Sequence, residues 1–143
     1  MDATITWKGQ MAFESEVPSG QKVMMDSKPE FGGQNLGASP MELVLSGVGG
    51  CTGIDIVQVL TKMRLNIEHF DMEVKAERAE EHPKRFTKIH IHYRLQGADL
   101  PIEKVQRAVD LSRDKYCSVA HSLNAELTTS FEVNGVVVGE RNL

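Results

Sequence analysis

This sequence predicts an α+β fold in which helices pack on a mostly antiparallel sheet. Apolar and polar residues alternate in four separate stretches, as strands with one buried face require. A long apolar segment follows a compact helix-start signal at Ser39. The element order is strands, apolar helix, strands, helices, strand.

Residues 3–26 hold the first strands. Ala3, Ile5 and Trp7 share one face, and Met11, Phe13, Ser15 and Val17 resume the alternation after Gly9. Pro18-Ser19-Gly20 is a turn, and Val23 and Met25 alternate in a third strand, so a three-stranded antiparallel meander is expected. Residues 27–38 carry Pro29, Gly32, Gly33, Asn35 and Gly37, which exclude regular structure and read as a binding loop or a mobile one. Ser39 caps the helix that follows, Pro40 suits its first position and Glu42 bonds back. That helix is apolar nearly all round as far as Leu60, so it must be buried, and it ends near Lys62 and Arg64. Gly47, Gly49, Gly50 and Gly53 weaken it and call for a closely approaching backbone or a local break beside Cys51.

Residues 71–77 and 87–95 alternate again and are joined by a linker short enough for a hairpin. Ile89, Ile91, Tyr93 and Leu95 point inward, with Lys88, His90, His92 and Arg94 outward. Pro101 opens an amphipathic helix with Ile102, Val105, Ala108, Val109 and Ser112 along its inner stripe. A short helical segment lies around residues 117–123 and a strand over 126–133. Asn134-Gly135 before Val136 is a two-residue hairpin turn.

With 41% apolar and 25% charged residues, the chain reads as a single domain over residues 1–143, long enough to bury a core. Sixteen Lys and Arg against twenty Asp and Glu leave a net charge of −4, and no basic excess marks a nucleic-acid partner. The nearly uncharged run at residues 38–54 is expected to be too short and glycine-rich to cross a bilayer. Met1-Asp2-Ala3-Thr4 begins no signal peptide, so a soluble cytoplasmic protein without a membrane partner is expected. One small chain cannot easily cover a glycine-rich apolar helix on all sides, which predicts a homodimer that shares it.

Cys51 and Cys117 form neither a CxxC pair nor a disulfide framework and are read as thiols. Cys51 follows Gly49-Gly50, where a reactive sulfur is open to close approach. A free cysteine also packs well as a small hydrophobe, and Asp55, one turn along, opposes a thiolate there. Arg113 and Lys115 precede Cys117 and His121 lies one helical turn beyond it, neighbours that favour thiolate; simple helix packing is the plainer role. Two such thiols on separate helices are suited to redox chemistry, with one sulfur attacking an oxidant and the other resolving the sulfenic acid. His90 and His92 share a strand face without a third ligand and read as a wet surface rather than a metal site. Arg78 and Arg85 flank what reads as a solvated turn.

Ser39-Pro40-Met41-Glu42-Leu43, the segment from Gly49 through Cys51 to Val57, and the segment from Asp110 through Cys117 to Val119 resemble the OsmC/Ohr family of peroxiredoxin-like proteins, and more closely its YhfA-like branch. The resemblance runs from about Ala3 to Val133. It implies an OsmC-like fold with a buried central helix, and an intertwined homodimer with two interface sites. It further implies thiol-dependent reduction of small organic hydroperoxides in oxidative-stress defence. Cys51 matches the peroxidatic cysteine and Cys117 the resolving one; an external dithiol resets the pair, and no metal or cofactor is required. Characterised hydroperoxide reductases of the family add an Arg in the N-terminal strands and a Glu ten residues before the reactive cysteine. Here Met41 holds the second position and the first arginine is Arg64. Glu42, nine residues before Cys51, falls on the opposite face of a continuous helix and is read as a cap. These departures keep open an alternative: a non-catalytic or redox-sensing protein that binds an apolar small molecule in a dimer cleft lined by Met41, Val44, Val48 and residues 27–38.

Overall fold

The first strands pair as the alternation predicts. β1 (Thr4–Gly9), β2 (Ala12–Glu16) and β3 (Lys22–Met25) form an antiparallel sheet in that order, with Trp7 opposite Phe13 and Ser15 opposite Val23. The computed structural model describes every residue from Met1 to Leu143, as two compact units, Met1–Val44 and Leu45–Leu143. In the first unit the sheet leaves Ile5, Trp7, Met11 and Phe13 exposed. The segment after β3 departs from the expected open loop. Buried Asp26 accepts hydrogen bonds from the N–H groups of Ser27, Gln34 and Leu36 at 2.7, 3.1 and 3.1 Å, and a 3₁₀ turn forms at Pro29–Phe31. Those N–H groups, that of Ser27 foremost, hold the Asp26 carboxyl below its ordinary range. Two of the three partners lie eight and ten residues away, beyond the reach of local pattern.

Helix α1 runs over Pro40–Lys62. Its start is a reciprocal cap: Ser39 Oγ accepts from the Glu42 N–H at 3.2 Å, and Glu42 Oε1 accepts from the Ser39 N–H at 2.9 Å. Glu42 is therefore the capping residue expected. At 23 residues α1 is long and apolar enough, by length and composition, to cross a bilayer, which corrects the expectation that this stretch is too short. One side of it packs in the core, with Val48, Ile56 and Leu60 fully buried, while Ile54 and Val57 stay exposed, which corrects the expectation that the helix is buried all round.

In the second unit β4 (His69–Arg78), β5 (Phe86–Gln96), β6 (Glu126–Val133) and β7 (Val136–Val138) make one sheet in that order. The β4–β5 and β6–β7 pairs are antiparallel hairpins, and β5–β6 is a parallel pair inside the mostly antiparallel arrangement. Asn134 and Gly135 both take positive φ, 48° and 84°, as a two-residue hairpin turn of this kind requires. Helix α2 (Ile102–Leu111) leads through a π turn (Ser112–Tyr116) to a short α3 (Ser118–His121). The core joins α1 to Ile89, Ile91, Tyr93 and Leu95 of β5, to Val105, Ala108 and Val109 of α2, and to Phe131 and Val133 of β6.

Two of the four helix glycines have their reason here. A Cβ at Gly49 meets Val74 Cγ2 at 3.2 Å and one at Gly53 meets Met72 Cε at 2.9 Å, so α1 lies close on β4. His90 and His92 correct the expected wet face: both are buried. They lie in one hydrogen-bonded chain, from Thr128 Oγ1 to His90 Nδ1 (2.7 Å), from His90 Nε2 to Ser130 Oγ (2.9 Å), and on to His92 Nδ1 (2.7 Å). The segment after β7 comes down on this face, where a Cβ at Gly139 stands 3.3 Å from Ser130 Cβ.

Candidate functional site

Helical spacing puts Cys51 and Asp55 one turn apart on the same face of α1. The third member arrives from the other side of the sequence. The π turn closes with the Cys117 N–H donating to Ser112 O at 2.9 Å, and it lifts Cys117 out of the helical path into extended backbone. The result brings Cys51 Sγ, a carboxylate oxygen of Asp55 and Cys117 Sγ within 4.8 Å of one another. Both sulfurs are free thiols; Cys51 is half-buried and Cys117 is fully buried. Single π turns of this kind cluster at functional sites because they redirect one side chain without ending the helix.

Two residues that the sequence did not mark complete the surroundings. Ser112, fully buried at the end of α2, donates from Oγ to Asp55 Oδ2 at 2.9 Å. It fixes one carboxylate oxygen and leaves the other free. Tyr93 of β5 is fully buried, and its hydroxyl has no hydrogen-bond partner. Thr52 stands near enough to affect the phenol's acidity, but its hydroxyl donates to Gly49 O at 3.1 Å and makes no bond of acceptable geometry with Tyr93. Burial, with the Cys117 and Asp55 charges added, raises the Tyr93 hydroxyl well above its ordinary 10.0 and keeps it a neutral donor. The signals were a serine on the apolar stripe of α2 and a phenol among the inward residues of β5.

The electrostatics correct the expectation for Cys117. Burial is the main cause that pushes its thiol up to about 11. Cys51 and Asp55 add to the rise, while a hydrogen bond from the Ala120 N–H to Sγ at 3.4 Å works against it. The basic neighbours are occupied elsewhere. Arg113 binds Asp114 at 2.7 and 3.1 Å and Asp110 at 3.3 Å. His121 is exposed, and its Nε2 donates to Arg113 O at 3.1 Å rather than to the sulfur. Arg78 bonds Lys84 O within the linker, whereas Arg85 bonds the Phe86 carbonyl and, at 2.6 Å, the carbonyl of the distant Asn124, so it anchors the turn to the segment before β6. Beside Asp55 a cleft of about 510 Å³ opens between α1 and α2, lined by Val59, Lys62, Met63, Arg107 and Leu111.

Comparison with known proteins places the chain by sequence and by fold. The family model described as OsmC-like protein matches residues 32–132. Protein YhfA of Escherichia coli K12 is 40% identical over 135 residues, 93% of this chain and 98% of that protein. A hypothetical protein from Aquifex aeolicus VF5 superposes with a TM-score of 0.76 at 28% identity, covering 93% of this chain and 96% of the other. An organic hydroperoxide resistance protein OsmC from Legionella pneumophila, 18% identical, shares the fold with a TM-score of 0.66, over 93% of this chain and 98% of its own. By the family match and by its identity to YhfA over nearly its whole length, the chain belongs to the OsmC-like family.

Proposed function

We propose that this protein reduces organic hydroperoxides with a pair of thiols, Cys51 attacking and Cys117 resolving. The observation that carries the reading is two sulfurs from separate elements within 4.8 Å, one half-exposed and the other sealed in the core. Family membership and the name of the Legionella pneumophila neighbour support the substrate class. The Cys51 thiolate attacks one peroxide oxygen and the O–O bond breaks. The alkoxide leaves as an alcohol with the proton the thiol gave up, and Cys51 keeps the oxygen as sulfenic acid. Cys117 then attacks that sulfur, water leaves and a disulfide forms; an external dithiol returns both thiols and becomes a disulfide itself. In this reading Asp55, whose carboxylate oxygen lies within 4.8 Å of the Cys117 sulfur, serves as the base for the Cys117 proton. The cleft beside Asp55, which neither sulfur lines, offers Val59, Met63 and Leu111 to an organic group among the polar Gln58, Lys62 and Arg107.

In this reading the chain acts as one domain and as a homodimer in a reducing cytoplasm, where both cysteines stay thiols between turnovers. Ile54 and Val57 of α1 and Trp7 of β1 are 63%, 42% and 62% exposed, apolar surface of the kind a second copy covers. The raised Cys117 thiol and the absent Arg and Glu favour a second reading, a redox-sensing or apolar-ligand-binding protein with slow thiol chemistry.

The test is consumption of an alkyl hydroperoxide with a dithiol present. Cys51→Ser abolishes it, and Cys117→Ser leaves a sulfenic acid that a dimedone-type reagent traps. No turnover by the wild type with several reductants rejects the peroxidase and leaves the second reading.

A further inference from the structure

We propose that the reduced Cys51–Asp55–Cys117 cluster binds a soft divalent cation, with Zn²⁺ as the physiological candidate. The inference uses the same residues as the peroxidase reading but not the reading itself. Two thiols and a carboxylate converge within 4.8 Å, and tetrahedral zinc–thiolate bonds of roughly 2.3 Å ask the sulfurs to stand about 3.8 Å apart, a contraction of about 1 Å at most. Sulfur ligands select zinc-like cations over Mg²⁺ and Ca²⁺. The carboxylate is already oriented: Ser112 Oγ donates to Asp55 Oδ2 at 2.9 Å, the outer support that metal-binding carboxylates carry. A second, independent observation points to an occupant. The buried Tyr93 hydroxyl has no partner, and it stands near enough to Cys117 and Asp55 for both to oppose its ionisation. A water on the fourth coordination position gives that donor or acceptor its missing bond.

Binding balances simply. Zn²⁺ enters, the two thiol protons leave to solvent, and no oxidant or reductant takes part. One divalent ion replaces two protons, so the buried site gains no net charge, and binding tightens as pH rises. The bound form is a resting state that withholds both sulfurs from a peroxide.

The experiment titrates reduced, metal-free full-length protein with Zn²⁺ against a chromophoric chelator, and with Co²⁺ as the spectroscopic probe. One ion per chain is expected, with a Co²⁺ spectrum showing thiolate charge-transfer bands and four-coordinate visible bands. Ser112→Ala weakens Zn²⁺ binding ~10-fold with the thiolate bands retained. Asp55→Asn weakens it further, and Cys51→Ser, a half-exposed position that spares the core, loses about half the charge-transfer intensity. The same affinity and spectrum in Asp55→Asn and Cys51→Ser, or no binding at all, overturns the proposal. Zn²⁺ binding without hydroperoxide turnover by the metal-free protein supports this inference while rejecting the peroxidase; turnover without metal binding does the reverse.

Discussion

Cys51 and Cys117 share one cluster but not one environment. Water reaches the first and not the second, and burial holds the Cys117 thiol at about 11 against an ordinary 9.0. At neutral pH that rise leaves Cys117 less thiolate than an unperturbed cysteine, before access is counted. Iodoacetamide on the native protein is therefore expected to label Cys51 first, with Cys117 labelled only on unfolding; mass spectrometry of the peptides reads the order. Early labelling of Cys117 contradicts its burial. Asp55 was legible only as a charge unfavourable to a thiolate, because local sequence names the residue one turn away but not what lies across the fold. Glycines divide the same way. Gly49 and Gly53 lie where α1 meets Val74 and Met72 of β4, while a Cβ at Gly50 meets nothing within 4 Å of it.

Among the elements, α1 and the π turn build the site and β5 carries the polar chain beneath the sheet's other face. The start of α1 was fully legible, since Ser39, Pro40 and Glu42 are contiguous and a reciprocal cap of this type contributes about 1 kcal/mol. The π turn was not, because one extra residue per turn leaves no mark in apolar spacing. On β5, His90 is held below its ordinary 6.5 by burial first, then by the charges of His92, Arg141 and Lys75. The unfolded chain thus takes up a proton at higher pH than the folded protein does. Stability is complete above about pH 6.5 and falls as pH drops from there toward the folded value. A single proton limits the slope to ~1.4 kcal/mol per pH unit. Chemical denaturation between pH 7 and 5 is expected to show this loss, and His90→Gln to flatten it. Asp71 and Glu73 on the neighbouring strand are both lowered from ordinary values of 3.8 and 4.5, so they leave this window clear. An unchanged slope in His90→Gln assigns the loss to another group.

For the molecule as a whole, exposed apolar surface is the feature that asks for a partner. Gly50, Ile54 and Val57 follow one another at helical spacing on α1 and border an open apolar hollow with Phe70 and Met72. In the proposed homodimer a second copy crossing there buries each Ile54, worth ~1.5–3 kcal/mol, and two-fold symmetry counts it twice. Ile54→Asp is expected to raise the dimer dissociation constant by at least ~100-fold in light scattering, with hydroperoxide consumption falling alongside if the site needs both copies. An Ile54→Asp protein as dimeric as the wild type removes α1 from the interface. What the sequence by itself determined is the order and type of elements: period-two and period-3.6 patterns, the cap at Ser39 and the Asn134-Gly135 turn all act between near neighbours. Tertiary structure alone decided the rest. Asp26 tied down its loop, the segment after β7 covered His90 and His92, and the π turn laid Ser112 and Cys117 against Cys51 and Asp55. The reason is physical. Burial, and the acidity it sets, depend on which distant segments pack together, and no local spacing encodes that.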